Sequence, residues 1–430
     1  MKKMGKRLPA ILAVLTILLC GLMGCTPGTD TSTSGGSAAG LEAEKGKTLS
    51  IMIPGHNPNS TEESAWQNAV VKEFKEKYPD VNVEWVVAGW DSWYTKVIAC
   101  ISSNDPIDLI NDGANNNPKF ALKGVTQPIN DYVDLTNENL HKATMDAVFC
   151  YDNKYYVAVS ETNVAVVYYN KTIIENEGFQ DPQELVDKGE WNWTNFTKLA
   201  NSLTDTNSKR WGFATNYPYL FFGADATSML TLDNQFRYTL NIDSPSMKNA
   251  LQMIQDGWYT SNWQGWENDP WSTFYKGSAV MLGDFQWVEA QILQAQEYGL
   301  ADFEFGVVPM PTGPDNTEGV SPITAAGWAI GNGSDCPNYT GKLIDMLVNG
   351  QAAYLEKQNA KLDAAHVALY KQLAQKPFCT NSYDSAVGGA FDICQAIQQG
   401  QSISQAIEEF KPIYQRKIDQ ANSGSLEDEE

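Results

Sequence analysis

Histidine is scarce in this chain. Three occur in 430 residues, His56, His141 and His366. No His-Glu-x-x-His run joins any two of them, so a zinc-protease motif is missing. No Gly-x-Ser-x-Gly elbow and no Walker phosphate loop occurs, which leaves the serine-hydrolase and P-loop classes without sequence support. No calcium-loop pattern is recognisable. Cysteine numbers seven, with no Cys-x-x-Cys spacing, which argues against a zinc knuckle or a dense disulfide framework. Positive charge is also short: 30 Lys and Arg stand against 52 Asp and Glu, a net −22. Such a surface repels nucleic acid and polyanions, and neutral ligands suit it better. Beyond residue 24 no apolar run has the length of a transmembrane helix. Acidic residues are abundant, so a glycosidase carboxylate pair stays open.

The beginning of the chain has what the rest lacks. Lys2, Lys3, Lys6 and Arg7 precede the apolar run Leu8 to Leu19, the pattern of a signal peptide over residues 1–24. Leu22-Met23-Gly24-Cys25 closes it and resembles the bacterial lipobox, which implies lipidation of Cys25. An ordinary signal peptide with an incidental cysteine, or an uncleaved anchor helix, is the alternative. Residues 25–47 hold Gly, Ser, Thr and Ala with almost no large apolar side chain, so they read as a flexible tether. Cys100, Cys150, Cys336, Cys379 and Cys394 remain in the body; one bridge, Cys379 to Cys394, or buried thiols are the readings. The roughly 380 residues after the tether suffice for two domains.

Thirteen tryptophans and nineteen tyrosines are the strongest compositional feature. Several sit beside Gly, Asn or Asp, as in Gly89-Trp90-Asp91, Asp269-Pro270-Trp271 and Gly327-Trp328. Those neighbours belong to loops and strand ends. An exposed aromatic face there suits the C–H face of a sugar, with polar neighbours for its hydroxyls. Trp90, Trp271 and Trp328 are candidates on that ground, and each has packing as its structural alternative.

The pattern over 48–110 is strand, helix, strand, helix, strand. Thr48–Ile53, Val81–Val87 and Ile107–Ile110 are the expected strands, and the helices open near Ser60-Thr61 and Trp90. This implies a parallel sheet covered by helices, with ligands at the carboxyl ends of its strands. Residues 155–158 and 164–169 read as two strands about a polar break at Ser160–Asn163. Asn192 to Phe196 reads as a capped helix entry, 325–330 as a strand, and the chain from about Ser385 as helical.

Several phrases then occur in order: Trp90-x-x-Trp93-Tyr-Thr-Lys, Val166-Val-Tyr-Tyr-Asn-Lys171, Trp193-Thr-Asn-Phe196, Phe274-Tyr-Lys-Gly-Ser-Ala-Val-Met281 and Val308-Pro-Met-Pro-Thr-Gly-Pro314. Together, over roughly 48–420 and behind a lipobox, they resemble the extracellular solute-binding proteins of carbohydrate ABC importers, the family of the maltodextrin-binding protein. The resemblance implies an α/β, two-lobe periplasmic-binding-protein-like fold of type II with a multi-crossing hinge. Lobe one is then 48–158 plus 315–375 and lobe two 163–308 plus 383–430, with crossings at 158–163, 309–314 and 375–382. It implies a monomer outside the cell, held to the membrane through Cys25, that takes a mono- or oligosaccharide and delivers it to ABC permease subunits. It implies no catalysis, no cofactor, no metal and no nucleic acid. A surface-anchored glycoside hydrolase or lyase, or a polysaccharide-tethering protein, is the competing expectation.

The same resemblance places the candidate ligand residues. His56 and Asn57 occupy the first-strand loop, and Asn115 and Asn116 follow the third strand. Glu161 and Asn163 stand where the relative has a cleft carboxylate. Tyr217 and Tyr219 fall on a Glu-Pro-Tyr, and Asp284, Phe285 and Trp287 fall on a Gly-Pro-Trp-Ala-Trp, so Phe285 replaces a stacking tryptophan. A further stacking position falls near Val387. The structural alternatives are packing for Trp287 and Trp193, an exposed loop for His56, and ion pairs or caps for Glu161 and Asp284.

Overall fold

A computed structural model describes residues 36–423, apart from 234, 380–383 and 389, and for 384 and 385 the backbone alone. The signal segment, Cys25, most of the tether, the acidic tail and part of the crossing at 375–382 lie outside the described residues.

The tether is shorter than its composition suggests. Ala38–Ala43 forms a helix capped by Ser37, whose hydroxyl accepts from the Gly40 N–H. Glu44 after it is buried, and its carboxylate accepts from the backbone N–H groups of Asn338 and Tyr339 and from the Asn338 amide at 2.6–3.0 Å. Those donors open the long helix Pro337–Asn359, where four N–H groups lack a partner within the helix. A polar segment thus folds back because it caps a helix some three hundred residues downstream. Glu44→Ala, which leaves two buried N–H groups unpaired, is expected to lower stability by about 1–3 kcal/mol in urea unfolding, with Glu44→Gln nearer wild type.

Strands β1 (Thr48–Met52), β2 (Asn82–Trp85) and β3 (Leu109–Gly113) pair in the order β2-β1-β3, all parallel, as the alternation over 48–110 implies. The helices Trp66–Lys77 and Trp93–Ser102 connect them. The first opens later than the Ser60-Thr61 signal, because the Ser60 hydroxyl accepts from the Glu62 N–H in a local turn. Short pieces follow: β4 (Thr126–Gln127) and the hairpin of β5 (Cys150–Tyr151) and β6 (Lys154–Tyr155).

The polar break at Ser160–Asn163 does not interrupt the chain. β7 runs unbroken from Ala158 to Asn170. Each polar group in it finds a partner: Ser160 and Glu161 on Gln351, Thr162 on Thr144, and Asn163 on Glu161. After β7 come β8 (Trp211–Ala214), the hairpin of β9 (Leu230–Leu232) and β10 (Tyr238–Leu240), β11 (Ala279–Phe285) and β12 (Phe305–Pro309). β13 (Ser321–Gly331) returns to pair with β3 and carries β14 (Pro377–Phe378) at its start.

One sheet results, in the order β2-β1-β3-β13-β7-β11-β8, with β12 also on β7. It is mixed rather than parallel, since β13 and β7 run against their neighbours. The first half of β7 pairs with β13 up to Val164, and the second half pairs with β11 and β12 from Ala165. β7 is therefore the strand that joins the two parts of the sheet. Its second half is covered on both sides: Val164, Val166 and Tyr168 enter one core, and Ala165, Val167 and Tyr169 the other. Two-sided burial explains the unbroken apolar run 164–169. The helices Phe391–Gln398 and Ile403–Ser423 close the second core, as the periodicity from Ser385 implies. The bridge weighed for Cys379 and Cys394 is not formed, and both are buried thiols. No described helix is long and apolar enough to cross a membrane.

Candidate functional site

The sheet positions the candidate residues in four groups. The first sits at the end of β11. Alternation along this buried strand puts Asp284 on the face of Leu282 and sends Phe285 to the other. Asp284 is fully buried and accepts from the Phe285 N–H at 2.7 Å and from the Trp271 indole N–H at 2.8 Å. Burial pushes its carboxyl up to about 7, against the pull of those two donors. The carboxylate therefore fixes the Trp271 ring, and the part of a free hydroxyl acceptor does not fit its burial.

On the opposite face an aromatic series begins. Phe285 stacks on Trp287 with centroids 4.7 Å apart and meets the Tyr217 edge at 5.3 Å. Tyr217 meets Tyr219 at 5.8 Å, and Tyr219 meets Phe391 at 5.2 Å. The middle is covered: Phe285 is 2% and Tyr219 5% exposed. The ends are not, with Trp287 36% and Phe391 46% exposed, and Tyr217 half-buried. Burial, and after it the nearby Asp284, pushes the Tyr217 phenol up to about 12. Phe285 is thus the backing of a shelf whose open ring is Trp287.

The second group lies on β7. The Glu161 carboxylate accepts from the Asn163 amide and from the Gln351 amide, both at 2.8 Å. The third follows β3. Asp112, buried, accepts from the Asn116 and Asn117 amides and the Gly113 N–H, and burial pushes it up to about 6. This holds the turn Ala114–Asn116 with Asn116 buried and Asn115 exposed, packed against the turn Asp384–Val387. Ala326 of β13 lies opposite Gly113 on one side and Glu161 on the other, so these two groups are neighbours across one strand.

The fourth group belongs to the loop after β1. His56 bonds the Asn68 amide oxygen at 2.7 Å and stacks on Trp85 at 4.7 Å, and Asn57 is exposed. Trp90, 71% exposed, lies over Gly55. Gly55 has φ +68°, and a Cβ there would meet the Trp90 indole nitrogen at 2.4 Å, so both conformation and space require glycine. Trp328 joins none of these groups. It is 1% exposed and packs edge-on against Trp66 in the core, which removes it from the candidates.

Three side chains beside these groups escape the sequence reading. Gln351 holds Glu161, Tyr354 stacks on Trp66 within electrostatic reach of Glu161, and Phe391 ends the aromatic series. A polar residue at 351 and a tyrosine three positions on, on one helix face, were the available signal. Among the described residues no group of three or more His, Cys, Asp or Glu is placed to hold a metal ion. The arrangement offers ring faces, amides and carboxylates already oriented by neighbours, the set that suits a polyhydroxylated ligand.

Residues 57–353 match the model of a family described as bacterial extracellular solute-binding protein. A putative binding protein of Brucella abortus is 22% identical over 268 residues, 59% of this chain and 62% of that protein, so the match spans less than two thirds of the relative. The sugar-binding protein MalE of Xanthomonas citri superposes with TM-score 0.66 at 16% identity, covering 87% of this chain and 98% of that one. UgpB of Mycobacterium tuberculosis, solved with glycerophosphocholine, gives TM-score 0.64 at 20% identity, over 87% and 98% of the two chains.

Proposed function

Since the chain belongs to the bacterial extracellular solute-binding protein family, we propose that it captures a neutral mono- or oligosaccharide between its lobes for an ABC importer. In this reading the lobes are 48–158 plus 315–375 and 163–308 plus 383–430. Cys25 is its lipid attachment on the outer face of the cell membrane, and permease subunits are its partners. The observation that carries the reading is the Trp287 ring, exposed on one side and backed by Phe285 on the other. A stacked backing fixes the ring before the ligand arrives, so little ordering cost falls on binding. Asn115 supplies hydrogen bonds from lobe one, and Glu161 and Asn163 supply them from the crossing at 158–163, with Glu161 held by Asn163 and Gln351. A ligand that touches both lobes favours the closed arrangement by its differential contacts.

A thermal-shift screen against mono- and oligosaccharides tests this. At a hundredfold excess over Kd, binding adds about 2.7 kcal/mol of stability, a clear rise in melting temperature. A neutral saccharide is expected to give that rise. Stabilisation by glycerophosphodiesters alone, or new reducing ends on incubation with oligosaccharides, contradicts the reading.

A further inference from the structure

A cavity of about 300 Å³ opens on the outer side of lobe one, between the helix Trp66–Lys77 and the edge strand β2. Its apolar wall is Trp85, Val71 and Pro58, and its charged rim is Lys72, Lys75 and Glu76. The volume falls at the lower end of small-molecule sites, room for one ring. Lys72 and Lys75 stand at i and i+3, hence on one helix face. Both are exposed, and among the described residues neither has a carboxylate within 4 Å. In a chain of net charge −22, two unpaired ammonium groups at the mouth of one cavity form a local positive site.

We propose that this cavity is an accessory binding site for a single ring bearing one anionic substituent, a sugar phosphate or a uronate, separate from the interlobe site. The ring packs on Trp85 and Val71. The anion sits between Lys72 and Lys75, where charge-assisted hydrogen bonds favour it over water. Glu76 rejects a second negative group. The site also touches the ligand loop of lobe one: the Trp85 ring that walls the cavity stacks on His56. The Asn68 amide, also on the wall, bonds His56 and donates to the backbone carbonyls of Asn57 and Ser60. An occupant therefore acts on the His56–Ser60 loop through two side chains already in contact with it.

Proton NMR reads this directly, because the chain has three histidines and His56 stacks on the cavity wall. The His56 ring signals, assigned through His56→Gln, are followed at low ionic strength during titration with glucose 6-phosphate, glucuronate, inorganic phosphate and glucose. Saturable movement with either anionic sugar and none with glucose is expected. Lys72→Ala combined with Lys75→Ala is expected to weaken that titration roughly tenfold while the melting temperature stays put, since both side chains are exposed. Three results overturn the proposal: an unmoved His56 signal at millimolar probe, an unchanged titration in the double variant, or equal movement with inorganic phosphate or glucose. The titrations are made in the Trp287→Ala background, where the interlobe site is expected not to bind, so none of these results bears on the saccharide reading of that site.

Discussion

Trp287→Ala is expected to remove saccharide binding and leave the fold intact, and Trp328→Ala to do the reverse. The two side chains carry the same indole and differ in what covers it. Trp287 is 36% exposed and has Phe285 on one side only. Its loss strips the open face of the shelf, and an aromatic anchor of this kind contributes about 2–3 kcal/mol, a thirty- to hundredfold rise in Kd. Trp328 is 1% exposed and meets Trp66 edge-on at 6.3 Å. Its truncation leaves a cavity in the core that neighbours fill only in part, at a cost of about 3–5 kcal/mol. Calorimetric titration and urea unfolding of both variants separate the effects. Equal losses of affinity in the two variants would place the ligand elsewhere.

The second large effect is a dependence of stability on pH set by Asp284. Its folded-state carboxyl lies at about 7, because burial disfavours the charge. Below pH 4 the folded and unfolded chains both hold the proton, and burial of the neutral group carries no ionisation cost. Between about 4 and 7 the unfolded chain releases the proton and the folded chain keeps it, so stability falls as pH rises. Above 7 the loss is complete, on the order of 3–4 kcal/mol for this group. Asp112, Asp225 and Asp345, each pushed up to about 6 by burial, act in the same direction. The wild-type melting temperature is therefore expected to decline from pH 5 to pH 8. Asp284→Asn, which cannot ionise, is expected to show a shallower decline. It starts lower at pH 5, because an amide accepts only one of the two hydrogen bonds from Phe285 and Trp271 without a clash of donors. Identical slopes for the two proteins would mean that Asp284 titrates as an ordinary surface carboxylate.

What was legible in the sequence was mostly local. The parallel run β1–β3, the helix entry at Asn192 and the C-terminal helices follow from periodicity and caps. Apart from the local turn at Ser60, the errors come from partners outside the local pattern. Ser160–Asn163 looked like a break because four polar residues sit in one run, yet Gln351 and Thr144 satisfy them in place. Gly327-Trp328 looked like a loop because glycine marks loops. The glycine is there because a Cβ would come within 2.2 Å of the Ala158 carbonyl oxygen on the neighbouring strand, so it marks close strand packing and Trp328 is core. Glu44 looked like part of a tether because its partners, Asn338 and Tyr339, are invisible to any local pattern. The resemblance placed Asp284 and Phe285 side by side, and only the fold shows that one fixes Trp271 and the other, on the opposite face of β11, backs Trp287.

The most direct test of the central reading is a crystal structure of the chain with a neutral saccharide taken from the stability screen. The expected result is a sugar ring stacked on the open face of Trp287, with hydroxyls in hydrogen-bond reach of Asn115 in the other lobe and of Glu161 or Asn163 at the crossing. A saccharide bound away from Trp287, or held by one lobe alone, would contradict it.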